Sequence, residues 1–239
     1  MSKRAGRKSQ QQNDFLQPLT PTSVSATDVG TGRAFGNAAA SVSFSLPGGS
    51  PAATLYFVTS NPGSITVNGA SSPITIGGLT SDTAYTFTVI AQNASGNSAP
   101  SSASGSVTVT SVPATPNAPT ASSTVADQDS VTWSAPATGG KAISIYYWSC
   151  DDGKSGSTAS TSVTVTQEGA GASTNAYRVI AANDNGNSTV SAYSNSIDTV
   201  APFFPPFFPP FFPPFFPPYF APPFFPPFFP PRFGSVPMY

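Results

Sequence analysis

A stretch of about ninety residues occurs twice in this chain, and both copies alternate apolar with small polar residues at a period of two. Residues 84–98 (AYTFTVIAQNASGNS) match residues 176–188 (AYRVIAANDNGNS), with a two-residue difference after the tyrosine. Beyond it Ile90, Ala91, Asn93, Gly96 and Asn97 recur as Ile180, Ala181, Asn183, Gly186 and Asn187. Residues 41–45 (SVSFS) likewise match residues 130–134 (SVTWS). A repeat of this length is a whole domain and not a solenoid unit. Within it Val42 and Phe44 alternate with Ser, and Tyr85, Phe87 and Val89 with Thr. Val131 and Trp133 alternate with Thr and Ser, and Val163 and Val165 with Thr. Successive side chains of a strand point to opposite faces, so each run predicts a half-buried antiparallel strand. The expected core strands are Ala40–Leu46, Thr54–Val58, Ala84–Gln92 and Gly105–Thr110 in the first copy. In the second they are Ser130–Ser134, Ile143–Ser149, Ser162–Thr166 and Ala176–Ala182. No segment carries a helical stripe, so the fold class is all-β, with two tandem β-sandwiches.

The chain divides into four parts. Residues 1–17 are a polar arm, residues 18–112 and 113–199 the two sandwiches, and residues 200–239 a Phe-Pro tract with a short tail. The Pro-rich stretch from Val112 to Pro119 marks the boundary between the sandwiches. Lys3, Arg4, Arg7 and Lys8 supply four of the nine basic residues, which makes the arm a candidate for docking onto an acidic partner. Four charges without interleaved aromatic residues, on a body with no basic stripe, argue against nucleic acid. Residues 1–20 have no apolar run of the length a secretion signal needs, so assembly in a cytoplasm is expected. No membrane span is expected either, because proline fills half of the one apolar stretch.

Composition removes most catalytic chemistry. The chain has no histidine and one cysteine. A Ser-His-Asp or Cys-His arrangement is therefore excluded, as is a zinc site built on His or on several Cys. Asp151, Asp152 and Glu168 show no spacing that singles out an acid/base pair. The expectation is a non-enzyme without cofactor or metal. Cys150 is expected to be an inert thiol, and Asp151-Asp152-Gly153 a turn.

The run Gly78-Leu79-Thr80-Ser81-Asp82-Thr83-Ala84-Tyr85-Thr86-Phe87-Thr88-Val89-Ile90-Ala91-Gln92-Asn93 resembles the corner and following long strand of a fibronectin type III domain. Leu79 and Tyr85 stand six apart, as in the tyrosine corner of that family. Trp133 falls where the family places a core Trp, with Phe44 in its place in the first copy. In the second copy Gly171 stands where the corner leucine would fall, six before Tyr177. The resemblance implies two tandem fibronectin type III-like, immunoglobulin-like sandwiches. A second resemblance lies in Ala26-Thr27-Asp28-Val29-Gly30-Thr31-Gly32-Arg33-Ala34-Phe35-Gly36-Asn37 and the following Ala38–Phe44. These residues are similar to repeat modules in structural proteins of tailed bacteriophages, those of cyanobacterial phages in particular. That resemblance implies a virion component such as a fibre, whisker or surface decoration. Its partners would be other copies of itself and capsid, neck or tail proteins. The alternative it leaves open is an adhesin module for a host-surface glycan.

Residues 203–233 repeat FFPP with a period of four and hold fourteen of the nineteen Phe residues. Proline fixes φ and lacks the N–H donor, so helix is impossible and interior strand nearly so. Polyproline II geometry would carry these residues about 95 Å at ~3.1 Å each. Burying fourteen Phe rings is worth on the order of 20–40 kcal/mol gross. Phe203, Phe204, Phe207, Phe208, Phe211, Phe212, Phe215, Phe216, Tyr219, Phe220, Phe224, Phe225, Phe228, Phe229 and Phe233 are thus the candidate assembly interface. Candidate surface-recognition residues are Tyr146, Tyr147 and Trp148, which are adjacent and cannot all face a core, and the loop residues Asn93, Asn97, Asn183 and Asn187.

Overall fold

The computed structural model describes residues 16–125, 128–167 and 174–198. The N-terminal basic cluster and the Phe-Pro tract lie outside the described residues. All regular structure among those described is β.

The first sandwich contains β1 (Thr22–Asp28), β2 (Ala38–Ser45), β3 (Leu55–Asn61), β4 (Thr66–Gly69), β5 (Ile74–Leu79), β6 (Thr83–Asn93), β7 (Gly96–Asn97) and β8 (Val107–Val109). One sheet has the order β1-β2-β5. The other runs β4-β3-β6-β7, with β8 also paired to β6. The period-two pattern does what the sequence requires of it. On β6, Tyr85, Phe87, Val89 and Ala91 are buried while the residues between them are not. Tyr85, Phe87 and Val89 meet Val42 and Phe44 of β2, Val58 of β3 and Ile74, Ile76 and Leu79 of β5 in one core. Phe44 packs its ring 4.7 Å from that of Tyr56. At the corner the Thr80 N–H donates to Tyr85 Oη at 3.1 Å, which ties the crossover between sheets to the long strand.

The second sandwich contains β9 (Thr120–Val125), β10 (Gln128–Thr132), β11 (Ile145–Cys150), β12 (Ser155–Thr158), β13 (Ser162–Thr166), β14 (Thr174–Asn175), β15 (Tyr177–Asn183), β16 (Gly186–Asn187) and β17 (Ile197–Asp198). Its sheets are β9-β10-β13 and β12-β11-β15-β16, with a short β14-β17 pair. The core gathers Val131, Trp133, Tyr146, Cys150, Val165, Tyr177 and Val179. Trp133 meets Tyr146 edge-on at 5.5 Å, the counterpart of the Phe44–Tyr56 contact. The eight expected core strands are all present, displaced by a few residues at their ends.

Two segments that follow the long strands pair with them without being strands. Ser98, Ser101 and Ser104 donate their N–H groups to the carbonyls of Ala91, Val89 and Phe87. Their Oγ atoms accept the N–H groups of the same three residues at 2.9–3.0 Å. Ser188, Ser191 and Ser194 do the same with Ala181, Val179 and Tyr177. Serines at every third position thus meet every second residue of β6 and β15. The buried N–H groups of each long strand are satisfied by hydroxyls where a regular neighbour would offer carbonyls.

Candidate functional site

Three places in the described residues concentrate polar chemistry. The first is the joint between the sandwiches. The β15–β16 turn of the second sandwich inserts against the end of the first. Asn185 Nδ2 donates to Thr110 Oγ1 (2.7 Å) and to the Ser111 carbonyl (3.0 Å), while the Gly32 N–H donates to the Asn185 carbonyl (2.8 Å). Asn183 Nδ2 donates to the carbonyls of Ser111 (3.0 Å) and Thr138 (2.8 Å). Asp28 holds the same corner by accepting from Thr110 N (2.9 Å) and Oγ1 (2.5 Å). Gly30 is required here, since a Cβ at that position would lie 2.2 Å from Thr110 Oγ1 and 2.7 Å from Asn185 Nδ2.

The second is a buried polar cluster in the second sandwich. Asp129 is fully buried on β10. Its Oδ2 accepts from Tyr177 Oη (2.5 Å), Asn175 Nδ2 (3.0 Å) and Gln167 Nε2 (3.2 Å). Gln167 Nε2 also donates to Tyr177 Oη at 2.8 Å, and Lys154 Nζ donates to Gln167 Oε1. Burial first, and then the bond to Asp129, push the Tyr177 phenol far above its ordinary range. Tyr177 occupies the position of Tyr85 but bonds across the core, where Tyr85 bonds its own corner. Beside the cluster, burial pushes the Cys150 thiol up to about 12. Burial alone would also raise the Asp152 carboxyl, but the Lys154 N–H, the Cys150 thiol and the Lys154 ammonium outweigh it and hold the group below its ordinary value. Asp152 pairs with Lys154 Nζ at 3.0 Å. No group of His, Cys, Asp or Glu able to hold a metal ion occurs among the described residues.

The third is an open groove of about 450 Å³ on the outer face of the sheet β12-β11-β15-β16. Register builds it. Tyr147 stands opposite both Ser157 and Ile180, and Ser149 opposite both Ser155 and Arg178, so these side chains share the solvent face. Val190, from the serine-bonded segment, completes the lining. Tyr147 is 43% exposed and Tyr193 46%. The Arg178 guanidinium carbon lies 5.1 Å from the centre of the Tyr193 ring, and Arg178 Nε donates to Ser149 Oγ at 3.2 Å.

The residues singled out in the sequence distribute unevenly over these places. Tyr147 is in the groove and exposed. Tyr146 is only 4% exposed, so its role in surface recognition is corrected to a core one; the register leaves it facing Ala181 and Trp133. Trp148 is half-buried with its ring tilted against Tyr177 at 6.4 Å, and Gly156 makes room beneath it. Asn183 is likewise corrected, because its amide is spent on backbone carbonyls at the joint. Asn93 bonds the Leu16 carbonyl (2.8 Å) and Asn97 accepts from Gln92 (2.7 Å), while Asn187 is exposed beside the joint. Arg178, Tyr193, Asn185 and Asp129 were not singled out. Only Arg178 carried a signal, as an isolated cation inside a β-type run.

Residues 20–108 match the sequence profile of the fibronectin type III domain, and the first sandwich is such a domain, of the immunoglobulin-like β-sandwich class. Among solved structures, the titin kinase and its flanking domains is 29% identical over 37% of this chain and 17% of that one, with a TM-score of 0.33. A crystal structure of further titin domains is 22% identical over 75% of this chain and 67% of that one, with a TM-score of 0.40. The chicken CNTN1 FN1-FN3 domains are 16% identical over 78% of this chain and 66% of that one, with a TM-score of 0.37. A comparison with curated proteins finds no match.

Proposed function

We propose that this chain is a non-enzymatic structural protein that displays two coupled β-sandwiches and assembles through its Phe-Pro tract. The observation that carries the reading is the joint. Domains meant to move independently are joined by exposed, polar linkers that few contacts cross. Here buried Asn side chains of one sandwich bond backbone groups of the other, which makes the pair a spacer of fixed geometry. The fourteen Phe residues of the tract, which lies outside the described residues, supply far more apolar surface than a soluble monomer keeps exposed. The similarity of Ala26–Phe44 to phage structural modules extends the proposal to a virion surface, with other copies and capsid, neck or tail proteins as partners. The basic cluster at Lys3, Arg4, Arg7 and Lys8 would dock an acidic partner there.

The test is the solution mass by light scattering of the full chain and of a version ending at Thr199. A defined oligomer from the full chain and a monomer from the shortened one is expected. Two monomers, together with no affinity of the full chain for capsid or tail proteins, would overturn the proposal.

A further inference from the structure

The outer groove of the second sandwich has a composition that a merely structural surface does not need. Arg178 is held from two sides, by Ser149 at its Nε and by the Tyr193 ring beneath its plane. Its terminal nitrogens have no acceptor among the described residues, and no carboxylate pairs with it there, the one ion pair being Lys154–Asp152. A guanidinium fixed in this way, with two terminal nitrogens not engaged by any described residue, is set to receive a carboxylate. Around it the face alternates two chemistries. Tyr147, Ile180 and Val190 give flat apolar contact, and the exposed hydroxyls of Ser155 and Ser157 make no bond within the described residues.

We propose that this groove binds acidic saccharides, with Arg178 receiving a uronate carboxylate, Tyr147 stacking on the C–H face of the sugar ring, and Ser155 and Ser157 meeting its hydroxyls. Charge complementarity selects this occupant. A single cation in an otherwise neutral groove suits a ligand with one carboxylate per unit, and is too little for a phosphate-rich polymer. The volume is that of an ordinary small-ligand cleft, about 300–1,000 Å³. Single sites of this kind bind weakly, and the many copies of an assembled particle would convert that into retention on a glycan-coated surface. The inference stands on the sheet face alone, so it is independent of the assembly role above, whose test is the oligomeric state.

The experiment is calorimetric titration of the full chain with oligogalacturonate and with oligomannuronate, alongside methyl-esterified oligogalacturonate as the neutral counterpart. Binding of at least one uronate, weakening with salt and about tenfold weaker for the ester, is expected. Arg178→Gln should cost about tenfold or more, Arg178→Lys less, and Tyr147→Ala about tenfold. Arg33→Gln, outside the groove, should change nothing. An unchanged far-ultraviolet circular dichroism spectrum would show that the variants remain folded. No binding of either uronate, equal binding of the methyl ester, or an Arg178→Gln variant that binds like the parent would overturn the proposal. So would a synthetic peptide of residues 203–218 competing for Arg178, since the groove would then be an assembly surface.

Discussion

Replacing Tyr177 with Phe removes one oxygen from the centre of the second sandwich. That oxygen donates to Asp129 at 2.5 Å and accepts from Gln167 at 2.8 Å, and both partners are buried to within 1% of complete. A hydrogen bond to a charged group contributes about 1.5–3 kcal/mol, and a neutral one about 1. With both partners buried, Tyr177→Phe should cost about 2–4 kcal/mol. Tyr85→Phe, at the equivalent position, deletes only an acceptor for the part-buried Thr80 N–H and should cost about 0.5–1.5 kcal/mol. The chain offers a clean readout. Both of its tryptophans, Trp133 and Trp148, lie in the second sandwich, so tryptophan emission during urea denaturation follows that sandwich within the full chain. Tyr177→Phe should lower its midpoint clearly. Combined with Asp129→Asn, Tyr177→Phe should cost less than the sum of the two, because the hydroxyl and the carboxylate share one bond. A Tyr177→Phe midpoint equal to that of the parent, or strict additivity with Asp129→Asn, would refute the argument that the Tyr177 hydroxyl anchors the buried cluster.

Other consequences can be checked in the same protein. The Cys150 thiol, pushed up to about 12, should resist alkylation at pH 8 in the folded chain and react after unfolding, as mass spectrometry would show. Cys150 and Tyr177 are both raised above their unfolded values, so their contribution is fully present below about pH 9 and is lost as pH climbs. From pH 9 upward the thiol alone should cost up to about 1.4 kcal/mol per pH unit, visible as a falling urea midpoint. Asn185→Ala removes the donor to Thr110 and Ser111 and should cost about 1–3 kcal/mol of coupling at the joint. Its signature is NMR relaxation that changes from one tumbling time for both sandwiches to two, with Gly30→Ala giving the same result by steric conflict. Ser101→Ala strands the buried Val89 N–H and should speed hydrogen exchange there by about tenfold or more, whereas Ser102→Ala should leave it unchanged.

The strands were legible because period-two alternation is a local signal, and so were Phe44 and Trp133 as equivalent core residues. The Tyr85 corner was legible because its partners stand within five residues of it. What was not legible depends on distant partners. Asp129 meets Gln167, Asn175 and Tyr177 at separations of 38 to 48 residues, and nothing near it in the chain distinguishes it from a solvated turn aspartate. Asn183 and Asn185 read as a polar loop open to a ligand, because their acceptors at Thr110, Ser111 and Thr138 stand far away in the chain. Tyr146 and Tyr147 could be told apart only through the register with Ala181 and Ile180, which fixes the face each one takes. The serine triplets were present in the sequence but had the composition of a linker.

Those triplets have a consequence for alignment. A plain strand can slide along its neighbour by two residues and find an equivalent set of donors and acceptors. Here three residues of one segment answer to two of the other, like the offset scales of a vernier. Only one setting brings Ser98, Ser101 and Ser104 together opposite Ala91, Val89 and Phe87; a slip of one or two residues would forfeit three main-chain and three hydroxyl bonds at once, and a slip of a whole serine interval would still leave one serine of the three without its place. The closing segment of each sandwich is therefore indexed by its hydroxyls. A chain without a disulfide to pin its last segment in place gains from them a mark that can be read only one way.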